Sequence, residues 1–140
     1  TGYTACPPRD DLSKTALGSE KAVPWEHFEN SIDAAKNILK QGITLVLLEQ
    51  TVKSKPIYDI AWKFPVCFIV GNEVSGVSEE LSKIATVHAE IPMRGVKQSL
   101  NVSVACGIIL DQLFTKFKEV LLNNFFVFTL NNILLLSSVP

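Results

Sequence analysis

The sequence predicts a single α/β domain in which a parallel sheet is flanked by helices. Two continuous apolar runs, at residues 43–49 and 66–70, have the length of strands and lack polar alternation. Such runs are typical of parallel strands that are buried on both faces. Segments with helical periodicity lie between and after them, as in other parallel α/β folds. The length of 140 residues suits one domain with a modest core.

The first half of the chain is expected to contain one helix and one strand. Residues 1–25 are predicted to be irregular, because the Pro7-Pro8 pair disfavours a regular helix. Between residues 28 and 40, apolar side chains recur at helical spacing, and Gly42 is a natural end for that helix. The apolar run at 43–49 then forms the first predicted strand.

The second half is expected to add two strands and two helices. The run at 66–70 is the second predicted strand, and residues 86–91 alternate like a third. Ser78 is a predicted N-cap for a short helix at 79–84. A longer helix is predicted from Ser103 to about Leu122. Its apolar members include Val104, Ile108, Leu110, Leu113 and Phe117.

The last part of the chain, residues 120–140, differs in composition from residues 1–119 and is expected to be a separate apolar tail. Asn123-Asn124 and Asn131-Asn132 interrupt runs rich in Phe, Val and Leu. Four amides within one apolar stretch disfavour a membrane span. The composition leaves two other interpretations open, namely a tail packed on the domain or on a partner, and a non-native extension.

Composition and charge narrow the class of protein. The net charge of −1 gives no global signature of nucleic-acid binding, so an RNA surface would have to be local. Three cysteines, Cys6, Cys67 and Cys106, show no metal-ligand spacing, and their odd number disfavours a disulfide framework. We therefore expect reduced cysteines, no metal site and a cytoplasmic location. The N-terminus has no signal-peptide pattern, and we expect it to be the start of a fragment.

Two polar loops directly follow predicted strands and lead into predicted helices. Residues 71–78 (GNEVSGVS) follow the second strand, and residues 91–105 (IPMRGVKQSLNVSVA) follow the third. Ligands in open parallel sheets bind at the carboxyl ends of strands, and a glycine such as Gly71 lets backbone groups approach a ligand. The loops therefore predict a small-ligand site. Neither a dinucleotide fingerprint nor a phosphate loop is present, so a pyrophosphate cradle is not expected.

Residues of these loops also have purely structural explanations. Gly71 alone could mark an ordinary turn from strand to helix, and Met93 could belong to the core. Ser99 or Asn101 could simply cap the last helix. The joint pattern, rather than any one residue, indicates a function.

Taken together, the patterns GNExxGxS and IPMxGxxxSLNVSVAxGI resemble the second and third motifs of the SpoU (TrmH-like) RNA 2′-O-ribose methyltransferases, which belong to the SPOUT class. The similarity extends upstream through Lys14-Thr15-Ala16-Leu17-Gly18 and Val23-Pro24-Trp25 and covers roughly residues 1–118. It implies a parallel sheet with a C-terminal trefoil knot, from which the N-terminal strands are missing. Residues 1–119 would then be the C-terminal part of such a domain.

The resemblance also implies the chemistry of the site. The expected reaction transfers the methyl group of S-adenosylmethionine to a ribose 2′-hydroxyl of tRNA or rRNA, without a metal. The positions expected to hold the cofactor, largely through backbone groups, are Gly71, Ile91 and Leu100. The polar catalytic neighbours of the family correspond to Glu73, Ser99 and Asn101.

Partners follow from the same resemblance. Arg94 and Lys97 lie in the third-motif loop and could contact RNA phosphate, although they could equally be solvated loop charges. Members of the family work as homodimers with the last helix at the interface. We therefore expect an exposed apolar face on that helix, formed by Val104, Ile108, Leu113 and Phe117.

The first motif of the family, with its catalytic Arg and adjacent Asn, is not in this chain. Activity of the chain on its own is therefore expected to be impaired. An alternative is a non-catalytic RNA- or protein-binding module that retains the SPOUT fold. A third possibility, an unrelated nucleotide-binding α/β domain, would need a phosphate loop, and the sequence shows none.

Overall fold

The computed structural model describes residues 1–2, 4–72, 75–96, 99–124 and 133–137. Within them lies a five-stranded sheet with the order β2-β4-β1-β3-β5, in which every neighbouring pair is parallel. The predicted parallel α/β class is confirmed. The strands are β1 (Thr44–Leu48), β2 (Lys55–Pro56), β3 (Val66–Val70), β4 (Val87–Glu90) and β5 (Ile133–Ser137). The helices are α1 (Asp10–Ala16), α2 (Ser19–Ala22), α3 (Ser31–Lys40), α4 (Glu79–Ile84) and α5 (Val102–Asn124), with a 3₁₀ turn at Ile57–Asp59.

Local sequence signals explain where several elements begin and end. Asn30 caps α3, because its side-chain oxygen accepts a hydrogen bond from the backbone N–H of Ile32 at 2.7 Å. Gly42, with φ of +75°, follows the end of that helix. The predicted cap of α4 is confirmed, since Ser78 Oγ accepts from the Leu81 N–H at 3.3 Å. The predicted bounds of β3 and α4 agree with the structure.

The prediction that residues 1–25 are irregular was wrong, because α1 and α2 lie within them. Proline restricts the residue before it and removes its own N–H, so the Pro7-Pro8 pair excludes a helix only up to that point. α1 begins just after Arg9 and carries Asp10 and Asp11 in its first turn, where acidic side chains favour a helix.

Both faces of the sheet are covered, which explains the continuous apolar runs. Alternate residues of β1 face opposite sides: Leu45 and Leu47 pack toward α3 and α4, whereas Val46 packs toward α5. β3 is buried along its whole length. Cys67 of β3 belongs to this core, and burial raises the pKa of its thiol to about 12. All three cysteines are free.

α5 packs one side on the sheet and leaves another side exposed. The expectation that Ile108, Leu113 and Phe117 would be exposed was wrong. Leu113 and Phe117 are buried in the core beneath the helix, and Ile108 is half-buried and packs against that core. Val104 is half exposed, as expected. Among the residues of this helix up to Glu119, whose side chains the structure describes, the other exposed large apolar side chains are Leu110 and Phe114, each 42% exposed. The exposed apolar face, hereafter the α5 face, therefore consists of Val104, Leu110 and Phe114.

The predicted tail begins inside α5, which continues to Asn124. Residues 133–137 form β5, which pairs with β3 from Val66↔Ile133 to Val70↔Ser137. Of the interpretations left open for the tail, this pairing favours a tail that packs on its own domain. The division at residue 119 stays a prediction, as does the trefoil knot. No helix in the described part of the chain is both long enough and apolar enough to cross a membrane.

Candidate functional site

A cavity of about 630 Å³ opens at the carboxyl ends of β1, β3 and β4 and at the start of α5. Small-molecule sites typically have volumes of about 300–1,000 Å³. Gly71, from the loop after β3, lines it together with Ile91 and Leu100, from the loop between β4 and α5, so the prediction that they gather around one pocket is confirmed. Their role in binding a cofactor stays a prediction.

The first wall of the cavity is formed by Gly71, Asn72, Ser75 and Gly76, which together with Val77 are the described residues of what is hereafter called the glycine loop. Asn72 and Gly76 exchange two backbone hydrogen bonds, of 3.1 and 2.9 Å, which close the loop on itself. The Asn72 side chain adds a third bond by accepting from the Ser75 N–H at 3.2 Å. Gly76 has φ of +66°, a conformation that glycine adopts without strain. The predicted catalytic residue Glu73 falls in this loop but lies outside the described residues.

The second wall follows β4. Ile91 is half-buried, and Met93 joins it in lining the cavity. Arg94 is exposed and forms no ion pair with any residue that the structure describes. Lys97, the second predicted RNA contact, lies outside the described residues.

The third wall leads into α5. Ser99 and Asn101 are exposed and line the cavity on either side of the half-buried Leu100. Asn101 also caps the helix, because its side-chain oxygen accepts a hydrogen bond from the Ser103 N–H at 2.9 Å. Its backbone oxygen accepts from the Ala105 N–H at 3.0 Å. The capping explanation considered for Asn101 is therefore confirmed, and its side-chain NH₂ group is not needed for it.

A fourth contribution comes from Glu49 and Gln50, at the end of β1, which the sequence analysis did not single out. Glu49 Oε2 accepts a hydrogen bond from the Val77 N–H of the glycine loop at 3.0 Å. The signal in the sequence was weak: two polar residues directly follow a buried strand, at the edge where ligands bind.

A chain of polar contacts supports the end of β1. His88 Nδ1 lies 3.3 Å from Thr51 Oγ1, which is 2.8 Å from Ser54 Oγ. Ser54 in turn donates to the backbone oxygen of Glu49 at 2.6 Å. His88 thus has a structural position. No group of three His, Cys, Asp or Glu side chains in the described parts of the chain could hold a metal ion.

The cavity therefore combines residues of three loops that carry both polar and apolar groups. Ser99 and Asn101 supply a hydroxyl and an amide, Glu49 and Glu90 supply carboxylates, and Ile91, Leu100 and Ala105 supply apolar surface. Such a site suits a small ligand with both apolar and polar parts.

The chain is similar in sequence to a known protein family and to several of its characterised members. The model of the SpoU rRNA methylase family matches residues 3–111. The chain is 39% identical over 93 residues to the tRNA (guanosine(18)-2′-O)-methyltransferase of Aquifex aeolicus, which covers 66% of this chain and 44% of that protein. The enzyme of the same name from Thermus thermophilus is 32% identical over 99 residues, which cover 71% of this chain and 51% of the relative. The chain spans about half the length of the curated relatives it matches.

The fold is also similar to solved structures of RNA-modifying enzymes. The crystal structure of the A. aeolicus TrmH/SpoU tRNA modifying enzyme matches with a TM-score of 0.73 and 32% identity, covering 84% of this chain and 59% of that chain. The AdoMet-bound rRNA methyltransferase from Sinorhizobium meliloti matches with a TM-score of 0.67 and 27% identity, covering 79% and 42% of the two chains.

Proposed function

This chain belongs to the SpoU rRNA methylase family, and we propose that its cavity binds S-adenosylmethionine for methyl transfer to a ribose 2′-hydroxyl of tRNA or rRNA. The observation that carries the proposal is the meeting of Gly71, Ile91 and Leu100 around one cavity. These are the positions at which the family motifs imply contact with the cofactor. The relatives named as tRNA methyltransferases favour tRNA as the substrate.

The residues present fit this cofactor. The cavity has the volume of a small-molecule site, and Gly71 and Leu100 line it from two different loops. Gly71 carries no side chain that could obstruct the ligand. The apolar groups of Ile91, Leu100 and Ala105 suit a flat adenine ring, and the neighbouring polar groups suit the ribose hydroxyls and the amino groups of the cofactor.

S-adenosylmethionine, when bound, supplies an electrophilic methyl group on a sulfonium sulfur. The protein has to orient the ribose hydroxyl and accept its proton, because a neutral hydroxyl is a weak nucleophile. Ser99 and Asn101 line the cavity and could orient that hydroxyl. The Asn101 NH₂ group is available for this task because the side-chain oxygen caps α5. We assign Glu73 a supporting role as an orienting carboxylate.

RNA is proposed to approach the rim of the cavity where Arg94 is exposed. Arginine and lysine side chains contact RNA phosphate without reading sequence, so Arg94 and Lys97 would position the substrate rather than select it. A local contact of this kind is compatible with the net charge of −1.

We also propose that the protein forms a homodimer through the α5 face and works in the cytoplasm. The α5 face consists of apolar side chains that are at least 42% exposed on one helix. Apolar patches on the surface of a protein commonly mark contacts with another chain. The free cysteines are compatible with a reducing compartment.

Isothermal titration of the 140-residue chain with S-adenosylmethionine, ATP and NAD tests the proposed cofactor. We expect the dissociation constant for S-adenosylmethionine to be the lowest of the three, because the sequence has both family loops and no phosphate loop. Equal or tighter binding of ATP would overturn the proposal and favour an unrelated nucleotide-binding domain.

A further inference from the structure

We propose that Glu49 is a positioning residue of this site: its carboxylate holds the glycine loop against the end of β1 and so sets the width of the cavity. The proposal rests on the proposed function, because the cavity is taken to be the cofactor site. Glu49 lies outside both sequence motifs, more than twenty residues before the first of them.

The carboxylate contacts the loop with both of its oxygens. Glu49 Oε2 accepts the Val77 N–H at 3.0 Å. Glu49 Oε1 lies directly against Gly76, where a Cβ atom would overlap it and would lie 3.2 Å from the Glu49 carboxyl carbon. The Glu49 carboxylate can occupy this place only because residue 76 is a glycine. A side chain at position 76 would displace the carboxylate.

The backbone of Glu49 is itself held on both sides. Its N–H donates to the backbone oxygen of Ala89 in β4 at 2.9 Å. Its backbone oxygen accepts the Ser54 hydroxyl at 2.6 Å. The carboxylate therefore extends from a fixed point of the sheet, as a positioning group requires.

The hydrogen bond between Val77 and Glu49 holds the glycine loop to the end of β1. Ser75 and Gly76 direct their backbone hydrogen bonds to Asn72, within the loop. Among the hydrogen bonds of Ser75, Gly76 and Val77 to described residues, only the bond from Val77 to Glu49 leaves the loop. Loss of the carboxylate would remove the hydrogen bond that joins Val77 to the end of β1.

The consequence for binding follows from the shared cavity. Glu49, Gly71 and Gly76 all line it, so the separation of the loop from β1 is one of its dimensions. A hydrogen bond to a charged acceptor is stronger than one between neutral groups. Glu49 would therefore keep the loop in its binding position before the cofactor arrives, which lowers the cost of binding.

Two substitutions in the 140-residue chain test this role. Glu49→Ala removes the acceptor, whereas Glu49→Gln keeps an oxygen acceptor on a side chain of equal length. We expect the Val77 amide to exchange about tenfold faster in Glu49→Ala, and S-adenosylmethionine to bind it about tenfold more weakly. Glu49→Gln, which keeps an acceptor but loses its charge, should lie between the unaltered chain and Glu49→Ala in both measurements. Glu26→Ala, which removes an exposed carboxylate outside the cavity, is the control.

Amide exchange separates this proposal from the proposed function. If Glu49→Ala speeds exchange at Val77 but not at Ile69 within β3, the loop has been released without unfolding, and the positioning role is supported. Unchanged exchange at Val77 would overturn it, whether or not the cofactor binds. If the unaltered chain binds no S-adenosylmethionine, the proposed function fails, and the exchange rates still decide the role of Glu49.

Discussion

Gly71 and Gly76 approach each other so closely that a Cβ atom on Gly71 would lie 2.5 Å from the carbonyl carbon of Gly76 and 2.8 Å from its oxygen. Both obstacles are backbone atoms, which cannot move aside as a flexible side chain could. The approach is possible because the loop is closed by the paired hydrogen bonds of Asn72 and Gly76. The glycine at the end of β3 is therefore required by the loop itself as well as by any ligand that approaches it.

Gly71→Ala is expected to open the glycine loop and to weaken S-adenosylmethionine binding by about tenfold or more. A loss of about 1.4 kcal/mol in binding free energy is enough to raise the dissociation constant tenfold. The matched control is Gly107→Ala, the same substitution at an exposed site in α5 where a Cβ would have no neighbour within 4 Å. That control should stabilise the helix by about 0.5–1 kcal/mol and leave cofactor binding unchanged. Equal cofactor affinity in both variants, measured by titration calorimetry, would refute the close-approach argument.

Asn101 is expected to stabilise α5 through its side-chain oxygen. Asn101→Ala removes the cap of α5 and is expected to lower the free energy of unfolding by about 1 kcal/mol. Asn101→Asp keeps the oxygen that accepts from Ser103 and should stay within about 0.5 kcal/mol of the unaltered chain. Urea denaturation monitored by circular dichroism measures both values. If the two substitutions destabilise the chain equally, the side-chain oxygen is not the capping group.

The α5 face is expected to mediate self-association. Phe114→Lys introduces a charge into that face, next to the Lys118 ammonium that lies 4.4 Å from the centre of the Phe114 ring. We expect multi-angle light scattering at micromolar concentration to show a dimer for the unaltered chain and a monomer for this variant. Val52→Lys, at a fully exposed apolar residue outside α5, should remain dimeric. A monomeric unaltered chain would contradict the proposed interface.

The 140-residue chain alone is expected to methylate RNA slowly. General acid–base assistance typically contributes about 10²–10⁴-fold to a rate, and the family's first-motif Arg has no counterpart in this chain. The measurement is transfer of labelled methyl from S-adenosylmethionine to a tRNA transcript. Product formation at a rate similar to that of a longer relative would show that the first motif does not have the role assigned to it.

Local signals in the sequence were sufficient to predict the elements around the site. β3 is a run of five buried apolar residues, and α4 begins at a serine whose hydroxyl caps it. The gathering of Gly71, Ile91 and Leu100 also followed from the sequence, because parallel strands place their carboxyl ends at one edge.

Features that depend on contacts between distant segments could not be predicted in the same way. Glu49 resembles an ordinary loop residue until the fold brings it against Val77, 28 residues later. β5 pairs with a strand more than 60 residues before it. The apolar residues of α5 occupy more than half of its circumference, so helical periodicity alone did not show that Leu113 would face the sheet and Phe114 the solvent.

The central claim is that the cavity at the strand ends binds S-adenosylmethionine, and NMR titration of the isotope-labelled 140-residue chain tests it most directly. The account predicts that the cofactor shifts the backbone amide resonances of Gly71, Ile91 and Leu100. The amide resonances of α1, none of whose residues line the cavity, should stay unchanged. Titration with ATP should leave those three resonances in place at the same concentration. Shifts confined to other parts of the chain, or equal shifts with ATP, would contradict the account.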